Sequence, residues 1–136
     1  MFVSAFYGVL AADGRFQYTN AGHNPPLWWH EGKCQPLASD GIVLGVMPKV
    51  VLVQHEIMIA PGDVLVFYTD GVTEAMTADL AEFGGARLEM VVSELLIINP
   101  QVTAQAIVEA IQQAIKGFTG FAPQHDDFTL FVVKRE

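Results

Sequence analysis

The sequence predicts an α+β fold, a mostly antiparallel β-sandwich with a helical layer. Up to about residue 70, short segments rich in aromatic and β-branched residues alternate with Gly, Pro and Asp turns, as antiparallel strands do. Beyond that point apolar residues recur at helical spacing, before one last strand-like segment. Strands and helices segregated along a chain favour a sheet covered by helices. With 136 residues, 51% of them hydrophobic, the chain suits one domain with a buried core.

Turn residues divide the first part of the chain into two predicted hairpins. Residues 2–10 and 16–20 are strand-like, and the Asp-Gly of "ADGR" between them suits a hairpin turn. "AGHNPP" interrupts the pattern, and "LWWHEGKCQPL" then predicts a second hairpin that turns at Glu31 and Gly32. Because Trp28 and Trp29 are adjacent in one strand, we expect them to point to opposite faces.

The remaining elements follow from a change of period. Residues 50–59 alternate and predict a long strand, "APGD" predicts a turn, and residues 64–69 form a continuous apolar run of the buried-strand type. Helical spacing then covers residues 88–96 and 103–116, with Gly117 and Gly120 ending the second helix. A final strand is predicted at residues 128–133.

Composition excludes some classes of partner. Fifteen acidic residues against seven basic ones give a formal charge of −8, so we expect no binding to nucleic acid and none to an anionic membrane. The single cysteine, Cys34, rules out an internal disulfide, and it has no His or Cys partner that would make it a nucleophile. The start of the chain has no secretory pattern, and a cytoplasmic location is expected.

Two acidic sites stand out by their positions. Asp70 follows one apolar strand, and Asp126 and Asp127 precede another. If these strands are antiparallel neighbours, the carboxylates of Asp70 and Asp126 converge, and such a pair needs a cation or a shared proton to offset its repulsion. Mg²⁺ and Mn²⁺ prefer carboxylate and water ligands of this kind. The pattern alone favours an ordinary Asp-Gly turn and a solvated loop over a metal site.

Five motifs in a fixed order carry a resemblance that favours the metal interpretation. They are "NAGHNPP" from residue 20, "PGD" from residue 61, "YTDGVTEA" from residue 68, "FG" at residue 83 and "DDFTL" from residue 126. Together they resemble the metal-dependent PPM-type serine/threonine protein phosphatases. The likeness is strongest to the bacterial branch typified by the stage II sporulation E phosphatase and the phosphatases that regulate stress sigma factors. It covers essentially the whole chain.

The resemblance implies a hydrolase that acts by a two-metal mechanism. In the family, aspartates hold two Mg²⁺ or Mn²⁺ ions, and a water that bridges the ions attacks the phosphorus of a phosphoserine or phosphothreonine. Carried over by motif, Asp70 and Asp126 are the expected metal ligands. Asp127, where many relatives have Asn, and Gly71, which permits a tight turn, are expected to support them. Glu74 is left outside the catalytic set. The implied substrate is a phosphorylated regulatory protein such as an anti-sigma-factor antagonist, in cytoplasmic signal transduction.

The same resemblance implies that part of the domain is missing. In the family the aspartate that bridges both metals comes before the strand at residues 2–10. We therefore expect residues 1–136 to be a single, N-terminally truncated PPM-type domain, its C-terminal two thirds. Such a chain should bind Mg²⁺ or Mn²⁺ weakly and have little or no activity. An apolar sheet face left uncovered would favour a homodimer. The alternative function is a non-catalytic interaction module, a pseudophosphatase half-domain.

Overall fold

A computed structural model describes the whole chain, Met1–Glu136. Seven strands and three helices follow one another along it. The strands are β1 (Ala5–Leu10), β2 (Arg15–Ala21), β3 (Leu27–His30), β4 (Lys33–Pro36), β5 (His55–Met58), β6 (Val64–Tyr68) and β7 (Leu130–Lys134). The helices are α1 (Asp70–Thr73), α2 (Gly84–Ile98) and α3 (Ala104–Thr119). None of the helices is long and apolar enough to cross a membrane.

The strands form two antiparallel sheets. One sheet has the order β1-β2-β5, and the other has the order β4-β3-β6-β7. The second sheet is built around β6, which is the most buried strand because both of its faces are covered. Val64, Leu65 and Val66 are each at most 1% exposed. This burial explains the continuous apolar run in the sequence, since a strand with two covered faces needs no polar alternation.

Two clusters of buried apolar residues lie between the layers of the fold. Between the sheets, Phe16, Tyr18 and Ile59 of the first half of the chain pack against Leu65 of β6, joined by stacked rings such as Phe6 on Tyr18. On the other face of the second sheet a larger cluster joins the sheet to α2 and α3. Its helical members include Leu88, Val92, Leu96, Ile107, Ile111 and Ile115. The molecule is thus a β-sandwich with a helical layer, as the sequence predicts.

The structure contains the hairpin loop, the opposed tryptophans and the helix start that the sequence predicts. Glu31 and Gly32 both have positive φ, as a two-residue hairpin loop requires. Trp28 packs between the sheets and Trp29 packs towards the helices, so the adjacent tryptophans face opposite sides. Helix α3 begins after Thr103, whose side-chain oxygen accepts from the Ala106 N–H at 3.1 Å.

The long strand predicted at residues 50–59 is wrong. Only His55–Met58 joins a ladder, and the pairing of β5 with β2 stops at Tyr18. Beyond that point the loop at Gly41 packs directly on the Asn20 backbone, where an ideal Cβ would lie 1.6 Å from the Asn20 oxygen. The segment before β5 still lies near β2, since Thr19 Oγ1 donates to the Val53 carbonyl at 2.8 Å, but it forms no ladder with it. The predicted strand at residues 2–10 also begins later, at Ala5.

The outer face of the β1-β2-β5 sheet carries exposed apolar side chains. Tyr7 is 70% exposed, Val9 50% and Met58 54%. They alternate with Phe6 and Ile57, which point inwards to the cluster between the sheets. No helix covers this outer face in the structure, whereas α2 and α3 cover the outer face of the second sheet.

Candidate metal centre

Asp70 lies just beyond β6, as the first residue of the short helix α1. The sequence pattern does not predict this helical turn. Thr69 joins the end of β6 to the start of β7 through two hydrogen bonds with Thr129. The Thr69 N–H donates to the Thr129 carbonyl at 3.1 Å, and Thr69 Oγ1 accepts from the Thr129 N–H at 3.0 Å. These bonds extend the β6–β7 pairing up to Asp70.

The strand register places the second acidic site beside the first. Strands β6 and β7 are antiparallel neighbours, with Tyr68 opposite Leu130. Residues just before β7 therefore lie beside residues just after β6. As a result Asp70, Asp126 and Asp127 line one pocket of about 280 Å³. No hydrophobic residue lines this pocket, which is completed by Ser4, Gly22, His23, Asn24, Thr69 and Thr129.

Gly71 is buried because the Asp127 backbone lies directly against it. An ideal Cβ on Gly71 would be 2.0 Å from the Asp127 oxygen and 2.8 Å from its carbonyl carbon. The φ of Gly71 is not positive, so the glycine is required by this close approach and not by an unusual turn. The prediction that Gly71 serves a tight turn is therefore wrong. The glycine is needed because the main chain packs closely against it. Any side chain here would push the Asp126 and Asp127 loop away from Asp70.

Asn24 contacts Asp70 directly, although the sequence-based reasoning did not single it out. The Asn24 Nδ2 donates to Asp70 Oδ1 at 2.6 Å. Buried Asn20 stabilises the loop that carries Asn24. The Asn20 Nδ2 donates to the His23 carbonyl at 3.0 Å, and the Asn20 Oδ1 accepts from the His23 N–H at 2.8 Å. The "NAGHNPP" motif, which contains Asn24, was the signal that could have found this contact. His23 lines the pocket, and its main chain shapes the loop.

The negative charge of the pocket has no Lys or Arg to balance it. The only ion pairs in the structure join histidines to carboxylates elsewhere. Exposed Glu74 lies near this negative charge. Repulsion from the Asp70 carboxylate is the main cause that raises the pKa of Glu74. Slight desolvation and the Glu82 and Asp126 carboxylates add to the shift. A bound cation would relieve the repulsion among these groups.

The donor set fits a hard divalent cation as part of a larger ligand set. Carboxylate, amide and hydroxyl oxygens surround the pocket, and these are the atoms that Mg²⁺ and Mn²⁺ prefer. Nowhere does the structure bring three or more His, Cys, Asp or Glu side chains into an arrangement that could hold a metal ion. Asp70 and Asp126 would supply only part of a coordination sphere, and its other positions would need water or further ligands.

The aspartate of the "PGD" motif lies at the opposite end of the sheet. Asp63 directly precedes β6 and is 4% exposed. Its Oδ2 accepts from Trp28 Nε1 at 3.1 Å and from the Ala60 N–H at 2.9 Å, and it lies 2.8 Å from His30 Nδ1. These partners satisfy the hydrogen-bonding capacity of the buried carboxylate. Asp63 therefore stabilises the turn before β6 and the β3–β4 hairpin, and it lies away from the pocket that contains Asp70.

Cys34 does not have the properties of a nucleophile. Burial raises the pKa of its thiol to about 11, with a further contribution from the Glu89 carboxylate, while a hydrogen bond with Ser93 opposes the shift. The thiolate is the reactive form, so this thiol is unreactive near neutral pH.

Two packed antiparallel sheets, a helical layer and an acidic pocket at the strand ends are the features that the motif resemblance to PPM-type phosphatases implies. The model of the stage II sporulation protein E (SpoIIE) family matches residues 1–136, and the chain belongs to that family. The resemblance noted from the motifs is thereby confirmed.

Known relatives agree with this assignment. The chain is 35% identical to Protein IcfG from Synechocystis sp. over 137 residues, which cover 99% of this chain and 21% of that protein. It is 30% identical to the phosphoserine phosphatase RsbU from Bacillus subtilis over 139 residues, covering 100% of this chain and 40% of that protein. The chain thus spans about a fifth and two fifths of the lengths of these relatives.

A solved structure has the same fold. The phosphatase domain of the cell fate determinant SpoIIE from Bacillus subtilis, described as Mn presoaked, superposes with a TM-score of 0.72 at 14% identity. The match covers 98% of this chain and 56% of that one. At this identity the likeness shows the fold alone.

Proposed function

We propose that residues 1–136 form one domain that contributes to a protein serine/threonine phosphatase. In this proposal Asp70 and Asp126 are ligands of a Mg²⁺ or Mn²⁺ centre. The observation that supports it most is the pocket shared by Asp70, Asp126 and Asp127, which has polar lining throughout and no basic partner. Carboxylates in such a pocket repel one another unless a cation is bound.

The other residues of the pocket would hold the two aspartates in place. Asn24 orients the Asp70 carboxylate by its 2.6 Å hydrogen bond, and the Asp127 N–H donates to Asp126 Oδ1 at 2.7 Å. Gly71 lets the Asp127 main chain approach α1. When bound, the divalent cations would activate a water for attack and neutralise charge on the phosphoryl group. No covalent enzyme intermediate is then required from this chain.

The proposed substrate is a phosphoserine or phosphothreonine on a bacterial regulatory protein. Support comes from the relative RsbU, which is named a phosphoserine phosphatase. The resemblance to phosphatases that regulate sigma factors extends this proposal to an anti-sigma-factor antagonist as substrate and to a cytoplasmic location. Activity of this chain by itself would be low, because it shows only part of a metal-binding set.

The test is Mn²⁺-dependent hydrolysis of p-nitrophenyl phosphate by the chain and three variants. We expect slow turnover that needs Mn²⁺ and that disappears in Asp70→Asn and in Asp126→Asn. Asp13→Asn is the matched control, since Asp13 lies in the β1–β2 turn and its Oδ1 only accepts from the Arg15 N–H. Turnover that survives both pocket substitutions, or that ignores Mn²⁺, would contradict the proposed site.

A non-catalytic interaction module is the second candidate, and the exposed apolar face of the first sheet favours it. An exposed patch around Tyr7 and Val9, with Met58 across β2 on the same face, suits contact with a second copy of this chain or with another polypeptide. Absence of both turnover and Mn²⁺ binding would favour this candidate. A homodimer through the patch should then be visible by analytical ultracentrifugation and should be weakened by Val9→Glu.

A further inference from the structure

A second, larger cleft opens beside the candidate metal centre. It has a volume of about 790 Å³, within the range of ligand-binding clefts. One wall is the polar face of α3, with Glu109, Gln112, Gln113, Lys116 and Thr119. The opposite wall is the loop of residues 120–126 together with the turn after Asp70. The cleft is a separate space from the polar pocket, yet the two share Asp126 in their walls.

The position of the cleft suits the chain that carries a phosphorylated residue. A phosphoryl group held at Asp70 and Asp126 would lie at one edge of the cleft, since Gly71, Glu74 and Asp126 line that edge. The polypeptide on either side of that group needs a path across the surface. From Glu109 to Thr119 the helix rises by about 15 Å, the length of about four extended residues.

The chemistry of the walls suits a peptide more than a small metabolite. Exposed amide side chains of Gln112 and Gln113 can both donate to and accept from a peptide main chain. Apolar contact is available from the Ile115, Met76 and Phe128 side chains. The lining therefore combines hydrogen-bonding groups with substantial apolar area, like that of other peptide grooves.

Lys116 is the feature of this cleft that can select between substrates. It is the only Lys or Arg among the lining residues, in a chain with seven such residues in all. Its side chain is exposed and takes part in none of the hydrogen bonds or ion pairs of the structure, whereas the ammonium of Lys134 donates to two carbonyl oxygens. A free ammonium in an otherwise acidic cleft is available to a carboxylate of a bound peptide.

We propose that the cleft between α3 and the loop of residues 120–126 binds the polypeptide flanking the phosphorylated residue, and that Lys116 favours substrates with an acidic side chain there. The proposal rests on the proposed phosphatase function, because that function places the phosphoryl group at the edge of the cleft. Lys116 is a specificity residue in this account and takes no part in the chemical step.

The test measures peptide binding by NMR titration of the chain in the presence of Mg²⁺, which is diamagnetic and leaves the signals near the proposed metal site visible. Two synthetic nine-residue peptides with a central phosphoserine serve as probes, one flanked by glutamates and the other by lysines. The readout is the ratio of their dissociation constants for the wild type, for Lys116→Glu and for Lys33→Glu. Lys33 is a matched control because it pairs with His30 at the hairpin end, far along the sheet from Asp70.

We expect the acidic peptide to shift amide signals of α3 and of residues 120–126. Lys116→Glu should move the affinity ratio at least about fivefold towards the basic peptide, as replacing attraction by repulsion at a partly exposed pair implies. Lys33→Glu should leave the ratio unchanged, which separates local contact from net charge.

Equal ratios in the wild type and Lys116→Glu, or shifts confined to other surfaces, would overturn the inference. Hydrolysis of p-nitrophenyl phosphate, measured in parallel on the wild type, then shows whether the proposed function still stands. Peptide binding in the cleft without any hydrolysis would support the inference while counting against catalysis by this chain. Absence of both binding and hydrolysis would overturn both.

Discussion

Replacement of Gly71 by alanine should both destabilise the fold and disturb the pocket that contains Asp70 and Asp126. The added Cβ would lie 2.0 Å from the Asp127 oxygen, whereas ordinary contacts begin at 3.4 Å. The Asp127 main chain must therefore move by more than about 1 Å, and overpacking of this kind costs about 1–3 kcal/mol. Higher helix propensity returns less than about 1 kcal/mol. We expect a net loss of about 1–2 kcal/mol, measured by urea unfolding, and weaker Mn²⁺ binding by calorimetry.

Gly85→Ala is the control for this experiment. Gly85 is also a helical glycine, but an added Cβ meets nothing within 4 Å. This variant should be neutral or more stable by up to about 1 kcal/mol, with unchanged Mn²⁺ binding. The reasoning is refuted if Gly71→Ala is as stable as the wild type. It is also refuted if Gly71→Ala loses stability but binds Mn²⁺ as tightly as before, because the loop would then not position the ligands.

Four further changes have definite expected outcomes. Asp63→Ala leaves three hydrogen-bonding groups without their acceptor and should cost roughly 2–4 kcal/mol in urea unfolding, without changing Mn²⁺ affinity. Thr103→Ala removes the cap of α3 and should cost about 1 kcal/mol in the same assay. Asn24→Ala should lower Mn²⁺ affinity about tenfold in calorimetry, because Asp70 loses its orienting partner. Alkylation of Cys34 by iodoacetamide should be slow at pH 8 and accelerate up to about pH 11, since the raised pKa keeps the thiol protonated below that value.

The fold was largely predictable because its turns and periods are local signals. The Asp-Gly turn before Arg15, the Glu31-Gly32 loop and the spacing of Ile107, Ile111 and Ile115 each determine an element by themselves. Residues 50–54 are not part of a strand, although the sequence predicts one there. Their alternation is real, and Thr19 Oγ1 donates to the Val53 carbonyl at 2.8 Å, but the ladder between β2 and β5 ends at His55.

The candidate site was predictable in part for the same reason. The proximity of Asp70 and Asp126 follows from the antiparallel pairing of β6 with β7. The positions of the strand ends in the sequence are enough to suggest that pairing. The contact between Asn24 and Asp70 spans 46 positions in the sequence, and no periodicity encodes it. The role of Gly71 depends on how close the Asp127 main chain comes, which only the packed structure reveals.

The most direct test of the metal centre is Mn²⁺-induced broadening of amide NMR signals in this chain. Mn²⁺ is paramagnetic, so signals disappear first around the site where it binds. We expect early loss of the signals of Asn24, Gly71 and Asp127, with those of the Glu31 and Gly32 turn retained. The double variant Asp70→Asn, Asp126→Asn should abolish the selective loss. Broadening centred elsewhere, or equal broadening in the double variant, would contradict a metal centre between the ends of β6 and β7.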